Sequence, residues 1–348
     1  MTPQPTRPPE FSVLIVNYNG GAYVQAALDS LARQACRDFE VILIDNASTD
    51  GSAETLNTSG LPAFTLLAET ENHGYAGGMN IAARKAVGTW LVGLNPDAVA
   101  DATWLDEIRA GAKRHPLATM FASAQYDMAD PDKLDGAGDA YLIFGIPWRG
   151  GFGRPASELP GEGECFSPCG AGAVFNRRVF LEHGGFDDRF FCFCEDVDLG
   201  FRLRLAGETC VFLPKAMIRH VGGGLSGKTS DFSIYHGFRN RIWTYAKDMP
   251  GPIFWITLPG HIVLSVYLLV RGAMTGRFRQ TWKGMRDGLL GAPGMRREGR
   301  TARQKAVVPL WKLARTMAWN PWRMSQHRVH VWEQDRTAVS GSSASEAL

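Results

Sequence analysis

Four acidic residues and one histidine stand where short apolar runs of this 348-residue chain end. Asp45 closes the run 40–44, Asp97 follows the run 90–94 through Asn95-Pro96, and His220 ends Ile218-Arg219-His220. Glu195-Asp196 opens a helix-like stretch just after the aromatic segment 190–193. Carboxylates and imidazoles take protons or hold divalent cations, and Asp97 with His220 could share one Mn2+ or Mg2+ ion. A carboxylate at Asp196, beside Phe190, Phe191 and Phe193, would be partly desolvated; that raises its proton affinity and suits a general base. Taken singly, each acid reads as a helix cap or turn residue, and His220 as structural. Their convergence on one edge is what argues for chemistry.

A second string invites a different chemistry. Residues 222–229, GGGLSGKT, satisfy both G-x-x-x-x-G-K-[ST] and G-x-G-x-x-G. A true phosphate-cradling P-loop needs a later strand that ends in a metal-binding Asp. No apolar run ending in Asp follows Thr229; the one such run, 41–45, lies upstream. The string is therefore expected to be a mobile Gly-rich flap near a diphosphate, with Lys228 touching phosphate. Six cysteines lack zinc spacing and are expected to be free thiols in a reducing compartment.

The elements that must position these groups alternate in type. Runs 11–16, 40–44, 64–68 and 90–94 have the length and β-branched content of buried strands, and helix-like stretches lie between them at 22–33, just after Ser52, and at 79–86. This alternation predicts an α/β domain with a mainly parallel sheet and helices on both faces. Such sheets bind ligands beyond the carboxyl ends of their strands. Asn17-Tyr18-Asn19-Gly20, Asp45-Asn46-Ala47-Ser48 and Asn95-Pro96-Asp97 all fall on that rim. Residues 128–168 read as an inserted hairpin or loop excursion. Residues 195–206 read as a helix, supported by Asp198 and Arg202 at i,i+4.

Composition bounds the rest. With 45% apolar and 21% charged residues the chain is not intrinsically disordered. Its 37 Lys+Arg and 35 Asp+Glu leave a net charge of +2, but residues 271–328 hold 14 basic and 2 acidic residues, a net of +12 against −10 elsewhere. Just before them, residues 252–270 contain no charged side chain and carry Pro259-Gly260 near their middle. An interfacial or re-entrant helix pair on an anionic membrane surface is expected there, the alternatives being a simple span or a core helix. Residues 1–9 and 331–348 read as disordered tails. The N-terminus has no apolar signal core, which points to a cytoplasmic protein on the inner face of the membrane.

Read together, VLIVNYNG (13–20), VILIDNASTDGS (41–52), ENHGYAGGMN (71–80), LNPDA (94–98), GGFDDRFFCFCEDVDLGFRLRLAG (184–207), His220 with its Gly-rich loop, and YHGFRNR (235–241) resemble the inverting family 2 glycosyltransferases, particularly their rhamnosyltransferase-like branch. The resemblance implies a GT-A nucleotide-diphospho-sugar transferase fold over 10–248, followed by a helical membrane-associating region over 249–330. By residue, it implies that Asp45 bonds the donor's pyrimidine with Asn17 and Tyr18 flanking it, and that Asn72, Gly78, Asn80 and Lys228 also serve the donor. Asp97 would be the metal-binding acid, His220 the second ligand, Asp196 the base and Glu195 its support. One departure stands out: the family's D-x-D is here Asn95-Pro96-Asp97. The expected activity is metal-dependent transfer of a sugar, rhamnose from dTDP-rhamnose or another dTDP- or UDP-sugar, to a lipid-linked or polysaccharide acceptor in cell-surface polysaccharide synthesis. Nucleic acid is not among the expected partners. The competing readings are a P-loop-type NTPase, a pyrimidine nucleotidyltransferase and a non-catalytic sugar-nucleotide binder.

Overall fold

The structure, a computed structural model, describes residues 7–222 and 230–333. Its first third is the expected alternation: β1 (Phe11–Asn17), α1 (Tyr23–Ala32), β2 (Phe39–Asp45), β3 (Phe64–Ala68), α2 (Gly74–Lys85), β4 (Trp90–Gly93), β5 (Ala98–Ala100) and α3 (Trp104–Arg114). β1 pairs in parallel with both β2 and β4, and β3 extends the sheet beyond β2. Alternate residues of β1 face opposite cores, as the two-residue strand period requires. Phe11, Val13 and Ile15 pack under α1 and α3, whereas Leu14 and Val16 pack under α2. Two sequence expectations shift. The segment after Ser52 forms turns rather than a helix. The second helix begins at Gly74 rather than at residue 79, so ENHG forms the loop that leads into it.

The sheet continues through β6 (Met120–Asp127), then β7 (Leu134–Ala137), β8 (Asp139–Leu142), β9 (Ile146–Arg149), β10 (Gly163–Glu164) and β11 (Ala173–Asn176). After α4 (Arg177–Glu182) and α5 (Glu195–Leu205) comes the long β12 (Cys210–His220). The strand order is β10-β12-β6-β11-β4-β1-β2-β3, with β5 on β12 and β7 on β6. β11 runs antiparallel between β4 and β6, which brings the end of β12 and the loop after β4 to one edge. β8 and β9 form a separate two-stranded hairpin, the insertion expected within 128–168.

The C-terminal region consists of α6 (Asp231–Asp248), α7 (Gly251–Met274), α8 (Phe278–Glu298), α9 (Arg300–Gln304), α10 (Leu310–Thr316) and α11 (Pro321–Ser325). α6 and α8 run side by side because glycines let their backbones meet. A Cβ on Gly284 would lie 2.5 Å from the Tyr235 carbonyl oxygen, and one on Gly288 3.0 Å from that of Arg239. α7 is one continuous helix through Pro259-Gly260, not a re-entrant pair. Proline costs it one hydrogen bond, while Gly260 packs against the Phe144 ring and His261 stacks on Tyr245 at 4.1 Å between centroids. Nor is it a core helix. Only Ile253, Thr257, His261 and Gly272 are buried, while Trp255, Ile256, Val263, Val266 and Tyr267 are exposed.

The terminal segments pack more than expected. Leu313 and Met317 of the α10 segment join Tyr141, Phe166 and Phe201 in one cluster, so this region is part of the body rather than an appendage. Residues 331–333 are not tail, because Trp332 exchanges backbone hydrogen bonds with Glu164 at 2.8 and 2.9 Å. At the other end Arg7 pairs with Asp38.

Candidate active site

Two adjoining cavities open at the carboxyl edge of the sheet. One, of about 510 Å3, is lined by Tyr18, Asn72, Asp97, His220 and Ser233, among others. Its neighbour, of about 320 Å3, is lined by Asp139, Cys169, Glu195, Asp196 and Arg241, among others. They share a wall of Tyr75, Asn95, Arg149, Cys192 and Phe193. The cleft thus has a His–Asp end and a carboxylate end.

At the first end β12 delivers His220 and the turn after β4 delivers Asp97; both are buried, with His220 Nε2 3.1 Å from Asp97 Oδ1. Asp135 on β7 accepts from His220 Nδ1 at 2.7 Å and from Arg149 Nη1 at 2.5 Å. Burial alone would push the imidazole down, but its hydrogen bonds to Asp135 and Asp97 outweigh that and hold it above its ordinary value. The donor set fits a divalent ion. Ligands about 2.1 Å from one octahedral ion lie about 3 Å apart when adjacent, close to the separation seen here. A carboxylate that fixes the far nitrogen of a ligating histidine is the usual supporting arrangement. Asn95 Nδ2 lies 3.3 Å from His220 Nε2 and Asn95 Oδ1 is buried with no hydrogen-bond partner, so the residue replacing the first acid of D-x-D borders the pair with a neutral amide.

A second set of metal-type ligand atoms, from Asp139, Cys169 and Asp196, lies within 4.8 Å. It suits such an ion less well. Burial lifts the Cys169 thiol to about 12 and keeps it protonated, and Mn2+ and Mg2+ prefer oxygen and imidazole.

At the carboxylate end, three acids divide one job. Burial pushes Asp139 and Glu195 well above their ordinary values. Burial raises Asp196 too, but the backbone N–H groups of Gly170 and Val197, both at 2.8 Å, and the Arg149 charge pull it back. Acids whose environments differ in this way can divide the roles of base and proton holder. Asp196 is the one whose rise is opposed by two backbone amides and a nearby cation. Glu195 does not orient it, since its buried Oε2 has no partner; Gly170 and the start of α5 do that instead.

A left-handed run aims α5. Phe191, Phe193 and Cys194 have φ of 63°, 72° and 65°, a strained conformation for residues other than glycine. Asn240 of α6 holds the run by donating Nδ2–H to the carbonyls of Phe190, Cys192 and Phe193 at 2.7–2.9 Å. Gly74 lets α2 approach, because a Cβ there would sit 2.3 Å from the Phe191 oxygen. Tyr75, next along, donates its hydroxyl to the Gly170 carbonyl at 2.8 Å, beside the amide that binds Asp196.

Several expected donor contacts turn out to be internal fastenings. Asn17 is fully buried and gives Nδ2–H to Asp45 Oδ1, Ser48 and Ser52, so it ties down the 45–52 loop and flanks no ligand. Asp45 is not among the residues lining the cavity. Gly78 packs on Val16. Asn80 is buried, donating to the Phe186 carbonyl and accepting from its N–H, and so clamps the loop before Phe190. Tyr18 and Asn72 do line the cavity. Lys228 lies outside the described residues. Asp139, Arg149, Tyr75, Asn240 and Arg241 are not among the expected site residues, although Tyr75, Asn240 and Arg241 lie inside the strings ENHGYAGGMN and YHGFRNR.

Comparison with known proteins points the same way. The family Glycosyl transferase family 2 matches residues 12–184. An N-acetylglucosaminyl-diphospho-decaprenol L-rhamnosyltransferase of Mycobacterium tuberculosis is 28% identical over 304 residues, 78% of this chain and 96% of its own length. A PGL/p-HBAD biosynthesis glycosyltransferase of Mycobacterium bovis is 37% identical over 91 residues, 26% of this chain and 36% of its own. Among solved structures, S. aureus TarS 1–349 in complex with UDP-GlcNAc is similar with a TM-score of 0.55 and 15% identity, over 89% of this chain and 93% of that one. A mannosyltransferase from Pyrobaculum calidifontis, in complex with GDP-Man and Mn2+, has a TM-score of 0.50 and 21% identity over 85% and 89%. Both likenesses are of fold.

Proposed function

The chain belongs to glycosyl transferase family 2 and has the GT-A fold, and on that premise we propose that it transfers rhamnose from dTDP-rhamnose to a lipid-linked glycan at the inner face of a membrane. Family membership makes it a nucleotide-sugar-dependent inverting transferase and sets aside the NTPase, nucleotidyltransferase and silent-binder readings. The observation that carries the reading is the divided cleft, with the Asp97–His220 pair on one side of a shared wall and Asp196, held by two backbone amides, on the other. Similarity to a rhamnosyltransferase whose name gives a diphospho-decaprenol acceptor supports the sugar and the lipid.

Inversion is a single in-line displacement. Asp196 takes the proton of the acceptor hydroxyl as that oxygen bonds to the donor's anomeric carbon, and the bond from this carbon to the diphosphate oxygen breaks with its electron pair leaving on the diphosphate. The amides of Gly170 and Val197 hold the carboxylate in place and favour its charged form against burial, which raises it. Asp97, His220 and Asn95 would hold a Mn2+ or Mg2+ ion, which when bound neutralises charge on the leaving diphosphate. Arg149, on the shared wall, lies where both halves of the reaction meet. The exposed face of α7 and the basic stretch after it would keep the enzyme where a lipid acceptor resides.

The test is a donor panel of dTDP-rhamnose, UDP-N-acetylglucosamine and GDP-mannose, with and without Mn2+ and with a lipid-diphosphate-linked acceptor, products being identified by mass. Transfer from dTDP-rhamnose alone is expected. Efficient transfer from another donor, with dTDP-rhamnose inert, would overturn the sugar assignment.

A further inference from the structure

Arg241, on α6, is a buried cation on the wall of the Asp196 cavity that the reaction as described does not use. It is 4% exposed and lines the cavity that holds Asp196. Its Nε and Nη1 have no hydrogen-bond partner, and Nη2 donates to Ser265 Oγ at 3.0 Å. No carboxylate among the described residues forms an ion pair with it. The groups that most support its charge are Cys194 and Tyr141, both neutral at pH 7. A buried charge is ordinarily paired. A buried guanidinium with unpaired N–H groups beside a cavity can instead be neutralised by an anion that arrives with a ligand.

We propose that Arg241 binds a phosphate of the acceptor, the one that joins the acceptor sugar to its lipid. This rests on the lipid-acceptor reading above and names the group of that acceptor that the site recognises. The donor's diphosphate is excluded by position, because Arg241 borders the Asp196 cavity and not the one with Asp97 and His220. A lipid phosphate is favoured over a sugar carboxylate by Ser265, Arg241's hydrogen-bond partner, which belongs to α7, the helix with the exposed apolar face. An anion held here has its lipid end beside that helix. A cavity of about 320 Å3 is also small among ligand pockets, so it takes the phosphate-proximal sugar rather than the end of a long glycan.

The test compares two acceptors at saturating donor, N-acetylglucosamine joined to farnesol through a diphosphate and the farnesyl glycoside of the same sugar without phosphate. Wild type should favour the diphosphate by roughly 10–100-fold in kcat/KM, mostly through KM. Arg241→Gln should erase that preference through a raised KM for the diphosphate acceptor, with the affinity for dTDP unchanged. Arg241→Lys should keep part of the preference, and it guards against a folding defect in the first variant. Equal use of both acceptors by wild type, or equal loss on both in Arg241→Gln with dTDP binding intact, overturns the role of Arg241 alone. Transfer to neither acceptor by wild type overturns the lipid-acceptor reading and this inference with it.

Discussion

Asp196, Glu195 and Asp139 share one cavity but not one environment, and that difference can be measured. Asp196→Asn removes the carboxylate that accepts two backbone N–H groups, so transfer should fall by about 10²–10⁴-fold with dTDP-sugar affinity intact. Asp139→Asn replaces a carboxyl that burial pushes well above its ordinary value by an amide of the same shape, so its rate should stay within about tenfold of wild type. Steady-state kinetics on the two variants decides between them, and a reversed order would reassign the base. The pH profile has a definite sign. The base works deprotonated and its pKa is raised, so kcat/KM should fall as pH drops through a value above 3.8, the ordinary aspartate value. At the other end, Asp97→Ala should weaken donor binding and make it indifferent to Mn2+ in titration calorimetry. Unchanged Mn2+ dependence in that variant would remove Asp97 from the metal site.

At the scale of elements, the device that aims α5 is the left-handed run 191–194 under the Asn240 clamp. Each non-glycine residue in that conformation stores about 1–3 kcal/mol, and each buried carbonyl left without a partner costs about as much again. Asn240→Ala should therefore destabilise the protein by at least about 2 kcal/mol and speed hydrogen exchange in residues 190–194. Adding Cys194→Gly, which accepts positive φ without strain, should restore part of the lost stability and activity. No rescue in the double variant would mean that the clamp acts by some route other than backbone strain. The strings around this device were legible in the sequence, but their relation was not, since Asn240 meets its three carbonyls across about fifty residues of chain. The same α6 segment carries Lys247, whose ammonium bridges Asp187, ahead of α5, and Asp198 in the first turn of α5, so α6 ties the segment before that helix to the helix itself.

For the whole molecule, the C-terminal helices cannot be removed like a tail. Arg296 donates to the Met249 carbonyl, and the Leu313–Met317 turn fills a core cluster with Tyr141 and Phe201. A chain cut before Pro252 should aggregate rather than yield a donor-binding fragment. Membrane attachment is better tested on the outward face of α7, where Ile256 is 79% and Val263 67% exposed. Ile256→Lys with Val263→Lys should abolish sedimentation with neutral vesicles. Residual binding to anionic vesicles should then be lost at high salt, because the remaining attraction is screened within about 8–10 Å. Donor binding should not change, and vesicle binding equal to wild type would argue that α7 does not meet the bilayer.

The sequence by itself determined the parallel α/β order and the rim on which the cleft lies, and it singled out Asp97, His220 and Asp196, which line that cleft. These follow from strand and helix periods and from the residue type at each element's end, all of which are local. Only the tertiary structure decided which rim residues face a ligand. Asn17, Gly78 and Asn80 turn inward to fasten neighbouring loops, and a residue just beyond a strand or on a buried helix face reads alike in either role. Only the fold brought Asp139 and Arg149 from the inserted hairpin, and Arg241 from α6, to the cavity of Asp196. Their proton affinities and free donors arise from burial and long-range neighbours, which no local pattern records.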